Sequence, residues 1–169
     1  MGPARQRVPT TPSQKQNYGL KIMYTNARSI VNKIQELRLY AHTNNPDIIA
    51  ITESWTNSSI TNQYLDIPNY TIVSRHDRND TTNGRGGGIL IYVKHPIKSY
   101  ETTSSSQFNQ FASIEVSLPN DIISLYVIYR SPNSSSDNNK LLIEVLKQCK
   151  NPAIVVGDFN LSQHKVGLS

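Results

Sequence analysis

Apolar positions along this chain change period several times, and each change marks an element. Residues 20–26 (Leu-Lys-Ile-Met-Tyr-Thr-Asn) alternate apolar and polar side chains, the two-residue period of a strand with one covered face, and close on Asn26. Ile30, Ile34, Leu37 and Ala41 then recur at helical spacing, while Lys33, Glu36 and Arg38 fall elsewhere on the same cylinder. That spacing predicts a helix with Ser29 as its N-cap and Asn44-Asn45-Pro46 as its stop. Residues 47–53 (Asp-Ile-Ile-Ala-Ile-Thr-Glu) read as a second apolar strand, ending on a carboxylate. Strand, helix, strand in this order predicts a right-handed crossover, which sets Asn26 and Glu53 on one edge of a parallel pair.

The middle of the chain reads as hairpins. Residues 70–75 alternate like a strand, a polar loop runs into Arg85-Gly86-Gly87-Gly88, and residues 89–93 form the returning strand, with a long tip between them. Residues 94–103 supply a further edge strand, and residues 111–118 and 122–129 form two more around the turn Pro119-Asn120-Asp121. Leu141, Leu142, Val145 and Leu146 mark a second amphipathic helix. It leads to Ile154, Val155 and Val156, a continuous branched run expected to be covered on both faces, after which Gly157 permits close approach of another backbone. Asp158 and Asn160 lie two apart and, in extended chain, project to the same side. The sum is an α/β fold with strands packed under helices.

Composition narrows this picture. At 169 residues the chain is expected to form one domain, 20–161, after a disordered basic leader, 1–19, that holds Arg5, Arg7 and Lys15 and no acidic residue; 162–169 is a tail. A net charge of +5 and a pI near 9.4 favour polyanionic partners. The single Cys149 excludes an internal disulfide framework and a Cys-based zinc site, and is read as a packing residue. No stretch approaches the apolar length of a membrane span and no secretion signal opens the chain, so an intracellular protein is expected. Trp55, the only tryptophan, is read by default as a core residue, with support of a site beside Glu53 or contact with substrate as the alternative; His42 and His76 are read as surface residues and His164 as a tail residue.

Four strand ends carry polar residues suited to one chemistry: Asn26, Glu53, Tyr129-Arg130, and Asp158 with Asn160. Together they supply carboxylate oxygens for a hard divalent cation, amide and phenol groups for phosphate oxygens, and a guanidinium that matches phosphate geometry. Such a set suits metal-assisted attack of water on a phosphate ester.

At these residues the chain resembles the endonuclease/exonuclease/phosphatase superfamily, through Thr25-Asn26, Pro46-Asp47-Ile48-Ile49-Ala50-Ile51-Thr52-Glu53, Tyr129-Arg130-Ser131-Pro132-Asn133 and Gly157-Asp158-Phe159-Asn160. The wording is most similar to the apurinic-type endonuclease domain of non-LTR (LINE-type) retrotransposons in Tyr24-Thr25-Asn26-Ala27-Arg28-Ser29, Arg85-Gly86-Gly87-Gly88-Ile89 and Val127-Ile128-Tyr129-Arg130-Ser131-Pro132. The resemblance implies a four-layer α/β sandwich, two packed β-sheets with outer helices. It implies that Glu53 ligates magnesium (or manganese) with Asn26 beside it, and that Tyr129 contacts the scissile phosphate. Asp158 would activate or orient the attacking water, and Asn160 would hold that water or a phosphate oxygen. Arg130 and Arg85 are added as phosphate or DNA contacts. The implied activity is nicking of DNA for retrotransposon insertion by a nuclear monomer, with a reverse transcriptase of the same element as partner.

Relatives continue beyond Gly-Asp-Phe-Asn into a further Asp and a Ser-Asp-His motif, whereas this chain ends at Ser169. The domain is therefore expected to be incomplete at its C-terminus and weakly active or inactive. Two alternatives are a non-catalytic, polyanion-binding remnant and a phosphatase acting on a small phosphorylated substrate. Basic charge and the retroelement wording favour DNA over the phosphatase.

Overall fold

A computed structural model describes residues 19–78, 86–150 and 152–160. The leader, except Gly19, lies outside the described residues, as do Arg85, most of the hairpin tip, His164 and the tail. Among the described residues eight strands form two four-stranded sheets, ordered β1-β2-β4-β3 and β5-β6-β7-β8. The first comprises β1 (Ile22–Asn26), β2 (Ile48–Thr52), β3 (Tyr70–His76) and β4 (Ile89–Lys94); the second comprises β5 (Ser99–Glu101), β6 (Phe111–Leu118), β7 (Asp121–Tyr129) and β8 (Ala153–Asp158). Helix α1 (Ile34–Asn44) joins β1 to β2, α2 (Asn62–Leu65) precedes β3, and α3 (Ser136–Lys147) joins β7 to β8.

The two-residue period of the strands sorts their side chains into three apolar layers. On β2, Ile49 and Ile51 face Leu37 and Ala41 of α1, whereas Ile48 and Ala50 face the other way. The inward set meets Ile89, Ile91 and Val93 of β4, Ala112, Ile114 and Val116 of β6, and Leu125 and Val127 of β7, which makes the sheet-on-sheet core. Outside the second sheet, Tyr126 and Ile128 of β7 cover Leu142 and Val145 of α3 together with Phe108 and Phe111. The order helix, sheet, sheet, helix is the four-layer sandwich expected.

Pairing follows the chain connections. Both helical crossovers join parallel neighbours, β1 with β2 and β7 with β8, while the hairpins β3/β4 and β6/β7 are antiparallel. The edge strand expected in residues 94–103 is β5, at the margin of the second sheet.

Two local expectations are corrected. Ser29 does not cap α1: the helix begins at Ile34 after Lys33, and Ser29 adopts φ 79° with its N–H donated to the Glu53 carbonyl at 2.8 Å. A backbone bond to the neighbouring strand end outcompetes local capping, and Ile30 joins the α1 core cluster without being helical. The branched run of β8 is not covered on both faces either, since Val155 is 38% exposed and β8 lies at a sheet edge among the described residues. Gly157 behaves as anticipated, because a Cβ there would sit 2.0 Å from the Ile128 carbonyl oxygen. Cys149 is a half-buried packing residue beside the α3 cluster, and burial raises its thiol pKa, the opposite of what a nucleophile needs.

Candidate active site

The two parallel pairs end at the same end of the sandwich. In the first sheet Asn26 is registered with Thr52, so Asn26 and Glu53 leave side by side; in the second Tyr129 is registered with Asp158. Asn26 closes the gap between sheets, its Nδ2 donating to Asp158 Oδ2 at 2.7 Å. The Tyr129 phenol is hydrogen-bonded to the Glu53 carboxylate. Asn26 with Asp158 and Glu53 with Tyr129 thus form two hydrogen-bonded pairs, each bridging the sheets, drawn from four strand ends.

Glu53 sits in a backbone cradle. Its Oε2 accepts from the Gly87 N–H at 2.9 Å and from Trp55 Nε1 at 2.5 Å. Glu53 and Trp55 both take a left-handed φ of 55°, and the turn between them is tied to the glycine run by Ser54 N–H to Gly88 O (3.2 Å) and Trp55 N–H to Gly87 O (3.0 Å). The glycines are required by conformation and by space: Gly86 has φ 92°, and a Cβ on it would lie 2.8 Å from Glu53 Oε2. Gly86, Gly87 and Gly88 therefore belong to the site, not to a hairpin tip.

Asp158 takes one donor from a side chain, Asn26, and one from the backbone. Its Oδ1 accepts from the Asn160 N–H at 3.3 Å, and Asn160, at φ 42°, turns its own amide away to donate to the Arg130 carbonyl at 2.8 Å. The chain is not extended here, so Asp158 and Asn160 do not project together. Arg130 is 7% exposed, and its guanidinium donates to Asn139 Oδ1 (2.7 Å) and to the carbonyls of Phe159 (3.2 Å) and Asn160 (2.6 Å). The structure sets it against the loop that follows β8.

The electrostatics follow from two carboxylates at one end of the fold. Burial, the hydrogen bond to Glu53 and the negative charges of Glu53 and Asp158 push the Tyr129 phenol well above its ordinary value. Burial foremost, then the charges of Asp158 and Glu53, likewise raises Tyr24, whose hydroxyl meets Thr52 Oγ1 at 2.9 Å. Both phenols are neutral at physiological pH.

Sequence reading missed three contributors. Tyr24 shares strand parity with Asn26, a signal that was available. Trp55, given to the core by default, is 37% exposed and bonded to Glu53, and the glycine run gave no hint of its target 34 residues upstream because that contact is purely tertiary. His76, read as a surface residue, is only half-exposed; its Nε2 meets Glu101 Oε1 at 2.7 Å, and Ser74 Oγ donates to the same oxygen at 2.6 Å, which ties β3 to β5 beside a cavity of about 450 Å³. Among the described residues no three His, Cys, Asp or Glu side chains converge as a ready-made metal cage, and no helix is long and apolar enough to cross a membrane.

Known proteins share this architecture. A Drosophila melanogaster protein, the probable RNA-directed DNA polymerase from transposon BS, is 24% identical over 142 residues, which cover 83% of this chain and 15% of that protein. The endonuclease domain of TRAS1, a telomere-specific non-LTR retrotransposon, superposes with a TM-score of 0.61 at 16% identity, over 85% of this chain and 62% of that one. The AP endonuclease LMAP of Leishmania major gives a TM-score of 0.66 at 15% identity, over 94% and 62%. The chain therefore spans a small part of its curated relative and under two thirds of either solved domain. Residues 23–168 match the model of one family, and the four-layer fold agrees with it: this chain belongs to the Endonuclease/Exonuclease/phosphatase family.

Proposed function

We propose that the chain is a divalent-cation-dependent phosphodiesterase domain that nicks DNA, of the kind carried by non-LTR retrotransposons. The observation that carries this reading is the Asn26–Asp158 bond across the two sheets, which gathers two carboxylates, an amide and a neutral phenol at one end of the fold. The likeness to a retrotransposon endonuclease domain and to a transposon polymerase, with a net charge of +5, favours DNA as the substrate.

The donor set fits a hard divalent cation. Every candidate ligand atom on Glu53, Asn26 and Asp158 is oxygen, and a site with one or two carboxylates and no protein cage suits magnesium, which keeps waters and substrate oxygens in its shell. Glu53 would hold the ion, with Asn26 beside it; when bound, it neutralises charge on the phosphoryl oxygens. Asp158, oriented by Asn26, accepts the proton of the attacking water as its oxygen bonds to phosphorus and the ester oxygen departs. Tyr129 contacts the phosphate through its neutral hydroxyl, whose one hydrogen lies on the Glu53 carboxylate. Asn160 and Arg130 act by holding the Asp158 loop, and Arg85 remains a proposed phosphate contact. The setting is the nucleus, as a monomer, beside a reverse transcriptase of the same element.

The test is relaxation of supercoiled plasmid by the full chain with magnesium or manganese. Glu53→Gln and Asp158→Asn should each slow nicking by about a hundredfold or more. Nicking that survives both substitutions would sink the site assignment. An intact chain that binds DNA but never nicks it would establish the polyanion-binding alternative instead.

A further inference from the structure

We propose that Trp55 is a positioning residue for Glu53, whose indole N–H fixes the orientation of the carboxylate that is to meet the cation. The inference rests on the assignment of Glu53 given above, and it adds a residue that the chemistry of strand ends does not point to. Glu53 Oε2 receives two donors, Trp55 Nε1 at 2.5 Å and Gly87 N at 2.9 Å, so the carboxylate plane is set by two fixed directions. Neither donor is free to wander. Trp55 N–H is tied to Gly87 O at 3.0 Å, and the intervening Ser54, fully buried, bonds Thr56 Oγ1 at 3.1 Å.

The backbone is bent to make this contact. Glu53 and Trp55 both stand at φ 55°, a region that L-residues with large side chains rarely occupy. The ring does not pack in the interior in return, being 37% exposed. An indole left that open, with its one polar atom on a carboxylate, is placed by that hydrogen bond and not by burial. Partners that orient a metal-binding side chain typically govern affinity by 10- to 100-fold. The same bond offers a readout independent of catalysis, since Trp55 is the only tryptophan and its emission reports on the surroundings of this one indole, Glu53 among them.

The full chain is titrated with manganese chloride while tryptophan emission is recorded, and manganese affinity is measured in parallel by calorimetry. Saturable quenching that Glu53→Gln removes is the expected result. If quenching is unchanged in Glu53→Gln, the assignment of Glu53 falls, and the inference with it. Trp55→Phe, which keeps a ring and loses the N–H, should weaken manganese 10- to 100-fold with an unchanged thermal melt. Replacing Trp55 by benzothienylalanine, isosteric but with sulfur in place of N–H, should give the same loss and covers the case in which Trp55→Phe fails to fold. Unaltered manganese affinity in the isostere, with Glu53→Gln still defective, overturns the role of Trp55 and leaves that of Glu53 standing.

Discussion

The Glu53 corner and the Asp158 corner both end a strand of a parallel pair on a carboxylate, and the loops that hold them are built by different means. The turn that carries Glu53 is set by backbone: left-handed residues at Glu53 and Trp55, glycines at 86–88, and main-chain bonds from Ser54 and Trp55 to that run, with the Trp55 indole as a side-chain donor. The loop at Asp158 is set by side chains: Asn26 across the sheets, and Arg130 pinning the carbonyls that follow, with the Asn160 N–H as the backbone donor. One corner is fixed by conformational exceptions, the other by a buried cation with well-placed acceptors. The difference teaches where each is fragile, because a backbone cradle fails when a Cβ is added and a side-chain cradle fails when a donor is removed.

The comparison breaks most visibly at Gly157, the one place where the Asp158 corner also depends on a missing Cβ. Gly157→Ala drives a methyl to within 2.0 Å of the Ile128 carbonyl and should cost about 3 kcal/mol, the upper range for overpacking, read as a shifted urea midpoint. A midpoint left in place would show that β8 can move away from β7 without loss. Next in size, Arg130→Ala leaves three acceptors without their donor and should cost about 2 kcal/mol; Arg130→Lys should recover less than half, since an ammonium cannot reproduce the planar fork. Full rescue by lysine would mean that charge, not geometry, holds the loop.

On the other corner, Gly88→Ala meets Ser54 Oγ at 2.3 Å with φ at 88°, and should cost about 1 to 2 kcal/mol while slowing plasmid nicking more than stability alone explains. Equal losses in both would reduce the cradle to a structural feature. The last effect vanishes at neutral pH. Tyr129 and Tyr24 have folded-state values raised above the ordinary 10.0, so above pH 10 the unfolded chain releases phenolic protons that the folded chain keeps. The unfolded state then binds fewer protons, and stability, fully present below pH 10, falls as pH rises. Denaturant midpoints between pH 9 and 11.5 should show this decline, and Tyr129→Phe should flatten it; an unaltered slope would detach Tyr129 from the two carboxylates.

Much of the sandwich was legible because burial and period coincide. Ile48 to Ile51 alternate between two apolar layers, and β6 and β7 follow their expected bounds closely, since turn chemistry at Pro119-Asn120-Asp121 is local. The failures share one cause. Ser29 offered a good local cap, yet its N–H and that of Ile30 are taken by the carbonyls of Glu53 and Ser54 at 2.8 and 3.0 Å, which unwinds the start of the helix. Val155 belongs to a run that reads as buried, and only the strand order reveals that β8 lies at an edge. Which carbonyls the Arg130 guanidinium serves is likewise decided only when β8 lies beside β7.

Within the sequence itself, then, lay the strands, the two crossover helices and the kinds of polar residue at each strand end, because these depend on side-chain period and chain direction over a few residues. Tertiary structure alone decided which of those polar groups meet and which way each one faces. A hydrogen bond is satisfied by whatever lies within 3 Å in space, and the partner that aligns Asp158 is Asn26, 132 residues away along the chain.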